Sequence, residues 1–186
     1  KIKSEKYFLL IARLLGDKGI REFAKAAKIV KKLHPDAIFE ILGPEDPSPD
    51  RISMEEINQW VKNGDIIYSG SALDVRPFID RCSVYVLPSY HEGMPRTVLE
   101  AMAMGRPIIT TDVPGCRDTV VNGKNGWLVQ KSDEVELADR MIWFIENPEK
   151  GKLMGKNSYE MACDKFDVRK VNKNFIEILG ISDGGI

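Results

Sequence analysis

Apolar and polar positions along the chain switch between two periods. Short apolar runs recur at Lys6–Leu14, Ala37–Leu42, Ile66–Ser69, Val84–Leu87, Ile108–Thr111 and Gly126–Val129. Runs of this length bounded by turn residues read as strands buried on both faces. The segments between them carry helical spacing. Ile20–His34 puts Ile20, Phe23, Ala27 and Val30 on one face and leaves Lys25, Lys28, Lys31 and Lys32 on the wet side. Ser53-Met-Glu-Glu56 opens a helix as a capping box. Asp74 is placed to cap a short helix ending near Arg81, and a helix rich in Ala, Met and Leu starts around Arg96. Gly115–Val121 reads as a short helix. Val135–Asn147, Glu149–Lys165 and Asp167–Leu179 read as three closing helices, the last with a stripe of Val168, Val171, Phe175, Ile176 and Leu179. Gly43–Asp50, full of Pro and Asp, reads as the most mobile loop.

Six strands alternating with helices predict an α/β fold: a Rossmann-like, doubly wound parallel sheet of about six strands with helices on both faces. At 186 residues the chain is long enough for one substantial core. Residues 1–180 are expected to form one domain and 181–186 a frayed tail. Lys1 leads almost directly into a strand, as in a domain taken from a longer chain.

Composition narrows the class. A hydrophobic fraction of 43% and a charged fraction of 30% are those of a soluble globular protein. A net charge of -1, with no basic tract, gives no reason to expect a nucleic-acid partner. No apolar stretch approaches membrane-spanning length, and no secretory signal is visible. Cys82, Cys116 and Cys163 are odd in number, far apart and without a C-x-x-C pair, which fits reduced thiols and a cytoplasmic protein.

The candidate chemistry centres on two carboxylates eight residues apart, Glu92 and Glu100. Glu92 lies in the loop after the strand Val84–Leu87, and Glu100 lies just over one turn inside the next helix. The carboxyl edge of a parallel sheet is where ligands bind. Two carboxylates there can accept pairs of hydroxyls, which suits a sugar or a ribose. Gly93 and Pro95 shape a loop that lets backbone approach a ligand. The free N–H groups of the first helical turn, near Arg96 and Thr97, favour an anion such as phosphate. Phosphate plus hydroxyls describes a nucleotide or a nucleotide sugar. A surface acid paired by chance with a helix-face acid is the simpler alternative.

Other positions carry weaker signals. Arg13 and Lys18 flank the loop after the first strand, where a guanidinium fork and an ammonium would hold a diphosphate; an ordinary strand-end Arg and loop Lys is the alternative. Arg13 ends an otherwise apolar strand, where a charge needs a partner. Gly16 and Gly19 form no G-x-G-x-x-G fingerprint, which argues against dinucleotide binding. Gly70-Ser-Ala-Leu73-Asp74 follows the third strand, where its backbone could border a nucleobase. His91, next to Glu92, reads as a bystander, and His34 as a helix C-terminal residue. Thr110, Thr111 and Asp112 mark a strand-to-turn transition. No metal-ligand spacing is present, so no metal site is expected.

These segments together resemble a known family, the retaining GT-B glycosyltransferases of family 4, also called glycosyltransferase group 1. The likeness is carried by Arg13-Leu14 with Lys18-Gly19 and by the Gly70 segment leading into Val84–Ser89. It continues through Glu92-Gly93 to Glu100-Ala-Met-Ala103, Gly105-Arg-Pro-Ile108 and Asn122-Gly-Lys-Asn-Gly-Trp-Leu-Val129. It covers nearly the whole chain, as the C-terminal, donor-binding half of such an enzyme. The resemblance implies that Arg13 and Lys18 bind the donor diphosphate, Glu92 the hydroxyls of the transferred sugar and Glu100 the ribose. Gly93, Met94, Arg96 and Thr97 would offer main-chain N–H groups, with Gly70 and Leu73 bordering the base.

The implied reaction moves a sugar from a nucleotide sugar, with UDP favoured, to an acceptor hydroxyl with retention, in polysaccharide or glycolipid synthesis. No cofactor is implied, because Arg13, Lys18 and the helix N-terminus would stabilise the leaving diphosphate without metal. The partners implied are the nucleotide-sugar donor and an N-terminal acceptor-binding domain of the same parent chain, through which the parent would contact the inner face of a membrane. A nucleotide-sugar epimerase of similar fold and a non-catalytic nucleotide-binding module are the alternatives.

Overall fold

In a computed structural model, described for residues 5–165, the predicted strand–helix alternation is realised. The strands are β1 Tyr7–Ile11, β2 Ile38–Leu42, β3 Ile67–Tyr68, β4 Val84–Leu87, β5 Ile108–Thr111 and β6 Gly126–Val129. The helices are α1 Ile20–Leu33, α2 Met54–Lys62, α3 Arg76–Arg81, α4 Arg96–Ala103, α5 Glu134–Glu146 and α6 Pro148–Lys165. All strand pairs are parallel and the order is β3-β2-β1-β4-β5-β6. The winding direction therefore reverses between β1 and β4, which lie side by side with Phe8 opposite Val84. A parallel sheet opens a crevice at such a point, outside the carboxyl ends of its strands.

Strand alternation divides the interior into two layers. Phe8 and Leu10, Phe39 and Ile41, Val84 and Val86 turn toward one face, where they meet Ile20, Phe23, Ala27 and Val30 of α1 and Leu137, Met141 and Phe144 of α5. Phe8 stacks on Phe39, whose ring also meets Phe23 edge-on. Tyr7, Leu9, Tyr85 and Leu87 turn the other way, against Ile79, Val98, Met102 and Met161. α6 carries Met154 into the first layer and Met161 into the second.

Several local expectations change. β1 ends at Ile11 rather than Leu14. Leu14 and Leu15 are buried, but their backbone leaves the sheet, with Leu14 N–H donating to the Pro44 carbonyl. The Ser53 capping box is half made. Ser53 Oγ accepts from Glu56 N–H at 3.2 Å, while the Glu56 carboxylate turns away to take both ends of the Arg21 fork. Val75 rather than Asp74 is the cap residue of α3, and Asp74 accepts from Arg76 N–H one step earlier. Only Arg117–Thr119 of the expected Gly115–Val121 helix forms, as one 3-10 turn.

The Gly43–Asp50 loop, expected to be mobile, is bonded along its length. Gly43 N–H donates to Gly70 O, and the carbonyl of Asp50 receives Gly16 N–H. The Asp50 carboxylate receives Asp17 N–H, and buried Asp46 accepts from Ser48. The helix expected at Asp167–Leu179 and the tail 181–186 lie outside the described residues.

Candidate functional site

Two loops meet over the β1/β4 reversal. The first runs from Ala12 to Gly19 and contains a 3-10 turn, Gly16–Lys18. The second runs from Pro88 to Pro95 and delivers the chain into α4. Between them lies a cleft of about 260 Å³. Ile11, Ala12 and Leu87 line its base, Arg13 and Lys18 line one side, and Glu92, Met94, Pro95, Arg96 and Thr97 line the other.

Glycine fixes how close the loops come. Gly19 has φ 70 and caps α1, and a Cβ on it would overlap the Pro88 carbonyl. On the far side Gly115 has φ 79, and a Cβ there would overlap the carbonyls of Glu92 and Gly93. The Glu92 loop is thus held between two left-handed glycines that no other residue could replace without moving backbone. Hydrogen bonds complete the clamp. Tyr90 N–H donates to Asp17 O at 2.7 Å. Ser89 Oγ lies 3.2 Å from Asp17 O and 3.1 Å from His91 O. The buried hydroxyls of Thr110 and Thr111 donate to the Leu87 and Ser89 carbonyls.

Charge in the cleft is largely paired internally. Lys18 Nζ lies 2.8 Å from Glu92 Oε1. Arg13 Nη1 lies 2.6 Å from Asp46 Oδ2, with the Arg13 side chain 60% exposed toward the cleft mouth. The partner that an apolar strand end required is therefore Asp46, on the loop after β2. Ser48, through its side chain and its N–H, holds the Asp46 carboxyl below the usual range. Arg96 is exposed and makes no hydrogen bond or ion pair among the described residues. α4 has no side-chain cap, and the N–H groups of Met94, Arg96 and Thr97 find no acceptor among the described residues. Unfilled donors at the start of an eight-residue helix leave room for an anion there.

The remaining predicted positions surround the cleft rather than line it. Glu100 is exposed, without a hydrogen bond or ion pair among the described residues, and shares a helix face with Arg96 and Thr97. Beneath them the Tyr85 hydroxyl bridges the Thr97 hydroxyl at 2.6 Å and the Ile11 carbonyl at 3.2 Å, tying α4 to β1. Burial pushes the Tyr85 phenol up, and Glu100 adds to that shift through its charge. Gly93 is exposed, and a side chain there would meet nothing. Gly70, with φ 68, lies at the end of β3 beside the Gly43 turn, and Leu73 is fully exposed. His91 is largely exposed, 3.5 Å from Asp17 Oδ2. Asp112 pairs with Arg117 and does not line the cleft. Asp46 and Gly115 did not emerge from the sequence. Asp46 sits in a stretch that reads only as loop, and the sole signal for Gly115 is the Pro-Gly pair it closes.

Among the described residues no three His, Cys, Asp or Glu side chains are grouped to hold a metal ion. Among the same residues no helix is long and apolar enough to cross a membrane. Cys82 and Cys116 are buried, and no disulfide forms among the described residues.

A cleft with paired cations, a carboxylate and unfilled helix N–H groups thus lies at the reversal point of a doubly wound α/β domain. Residues 1–161 match the family model described as glycosyl transferases group 1, and the chain belongs to that family. It is 29% identical over 170 residues to an N,N'-diacetylbacillosaminyl-diphospho-undecaprenol alpha-1,3-N-acetylgalactosaminyltransferase of Campylobacter jejuni, covering 91% of this chain and 43% of the relative. The C-terminal domain of a glycosyl transferase group 1 family protein from Francisella tularensis superimposes with a TM-score of 0.78 at 27% identity, covering 88% of this chain and 87% of that one. Anabaena HepE in complex with UDP shares the fold, with a TM-score of 0.84 at 23% identity over 94% of this chain and 48% of that one. The chain spans less than half the length of the Campylobacter relative.

Proposed function

We propose that this chain is the donor-binding domain of a retaining glycosyltransferase that takes its sugar from a nucleotide sugar, with UDP favoured. The observation that carries the reading is the convergence of Arg13, Lys18, Glu92 and the unfilled N–H groups of α4 on one cleft. Arg13 and Lys18 hold the diphosphate, aided by the N–H groups of Gly93, Met94, Arg96 and Thr97. As the bond to the anomeric carbon breaks, negative charge gathers on the leaving diphosphate, where these fixed donors stabilise it without a metal ion. Glu92 accepts sugar hydroxyls, and Glu100, just over one turn inside α4, accepts those of the ribose. The Gly70–Leu73 segment borders the base.

Transfer also needs an acceptor hydroxyl beside the anomeric carbon and exclusion of water. Within the proposal an N-terminal acceptor-binding domain supplies both. UDP is bound in the HepE structure, and the Campylobacter relative is named for a lipid-linked acceptor. The lipid-linked acceptor in that name supports a role in polysaccharide or glycolipid synthesis; within the proposal the enzyme is cytoplasmic and its other half touches a membrane surface.

Ligand-observed NMR of the chain with UDP, GDP and a panel of their sugars, with NAD as control, tests the reading. Saturation transfer to a nucleotide and its sugar, and none to NAD, is expected. Transfer to NAD alone would contradict it.

A further inference from the structure

The two groups assigned to different parts of the donor are bonded to each other. Lys18 Nζ sits 2.8 Å from Glu92 Oε1, and the two side chains are only 16% and 18% exposed. Asp17 Oδ2, at 3.8 Å, is a second and weaker partner of the same ammonium. Arg13 differs. Its fork meets Asp46 through Nη1 and is otherwise open to the cleft mouth. A phosphate entering the cleft therefore finds Lys18 already neutralised by a carboxylate.

Resting on the donor-site reading above, we infer that the Lys18–Glu92 ion pair makes Glu92 a specificity residue, favouring the nucleotide sugar over the nucleotide diphosphate that remains after transfer. A phosphate oxygen placed on Lys18 must draw the ammonium away from Glu92, and breaking that pair costs free energy. The pair is largely shielded from solvent, so that cost is screened less than at an exposed surface pair. With a sugar attached, Glu92 exchanges the ammonium for hydroxyl donors and recovers its hydrogen bonds. With the diphosphate alone it loses the ammonium and gains only water. The penalty falls on the product, which assists its release. Division of roles by sequence alone would leave free nucleotide indifferent to Glu92; the ion pair removes that indifference.

Titration calorimetry of the chain tests this, with UDP and UDP-glucose as probes and GDP with GDP-mannose in parallel. Glu92→Gln keeps the shape and removes the charge. It should bind the nucleotide diphosphate about 3- to 10-fold tighter than the unaltered chain, without tightening the nucleotide sugar. In a Lys18→Ala background the same substitution should change diphosphate affinity by less than about twofold, as a double-mutant cycle requires for a pairwise effect. Should Glu92→Gln fold poorly by its melting curve, Glu92→Ala should shift diphosphate binding in the same direction. Diphosphate affinity that is unchanged or weaker in a folded Glu92 variant overturns the inference and leaves the donor-site reading standing. Equal tightening without Lys18 also overturns it, because repulsion by Glu92 alone would then suffice. An unaltered chain that binds none of the four probes overturns both.

Discussion

Gly115 lies against the carbonyl oxygens of Glu92 and Gly93 so closely that a Cβ on it would overlap both. One left-handed glycine after β5 thereby sets the position of a carboxylate on the loop after β4. Gly115→Ala should cost about 1–3 kcal/mol, from its positive φ and the displaced loop. It should also weaken nucleotide-sugar binding more than that of Gly64→Ala, whose glycine likewise has positive φ but meets no neighbour. Urea unfolding alongside calorimetry separates the two effects. Equal binding by both variants would detach Gly115 from the site.

Arg13→Ala and Lys18→Ala should each weaken nucleotide diphosphate binding by about 10- to 150-fold, the range of charge-assisted hydrogen bonds worth about 1.5–3 kcal/mol. Each substitution also leaves a shielded carboxylate, Asp46 or Glu92, without its cation, so a lowered melting temperature is expected beside the loss of affinity, and binding is read well below it. Unchanged affinity in a folded variant would remove that residue from the site.

Glu100→Gln should impair free nucleotide through the ribose, whereas the matching change at Glu92 should not. Comparison of UDP with free uracil, which lacks the ribose, checks the point: a real ribose contact leaves the weak binding of the base unaltered. A Glu100 variant with full UDP affinity would place the ribose elsewhere.

Stability should fall at alkaline pH through a buried network remote from the cleft. Glu40 of β2, 2% exposed, accepts from Tyr7 and Ser69 and pairs with Arg81 at 2.7 Å. Burial, with Glu40 second, pushes the Tyr7 phenol from 10.0 up to about 12. Below pH 10 the phenol is protonated in both folded and unfolded chains and its contribution is constant. Between about pH 10 and 12 the unfolded chain binds fewer protons, so stability declines as pH rises. Tyr7→Phe should reduce but not abolish this decline in urea midpoints, because burial also raises Tyr85, Cys82, Cys116, Tyr68 and Tyr90. An identical slope in Tyr7→Phe would exclude the network as its source. Glu40→Ala should cost about 1–3 kcal/mol, since it strands an arginine that still reaches solvent.

The six strands were legible because each is a short run of residues buried on both faces, and the parallel order follows from the alternation with helices. Glu92, Arg96 and Thr97 were legible because an apolar strand, a Gly-Pro loop and a helix start follow one another within a few residues. What escaped depends on distant partners. The Gly43–Asp50 loop reads as mobile from its prolines, yet Asp46 and Asp50 reach back to Arg13, Gly16 and Asp17, which no local pattern reveals. Glu56 reads as half of a capping box until Arg21, on another helix, takes its carboxylate. The apolar Leu14 made β1 look longer: its side chain joins the same apolar layer as Phe8 and Leu10, but its backbone bonds to Pro44 and Ile52 of the segment after β2 rather than to a strand. The Lys18–Glu92 pair joins two residues that the sequence brought to the same cleft but not to each other.

The most direct test of a donor site at the β1/β4 reversal is residue-by-residue mapping of bound nucleotide. An amide-resolved NMR titration of the chain with UDP, repeated with GDP, should move the N–H signals of Lys18, Gly93, Met94, Arg96 and Thr97 together along one saturable curve. Signals around Trp127 and Trp143, on the outer side of β6, should stay in place. Shifts confined to that outer side, or none at the start of α4 with either nucleotide at saturation, would contradict the assignment of this cleft.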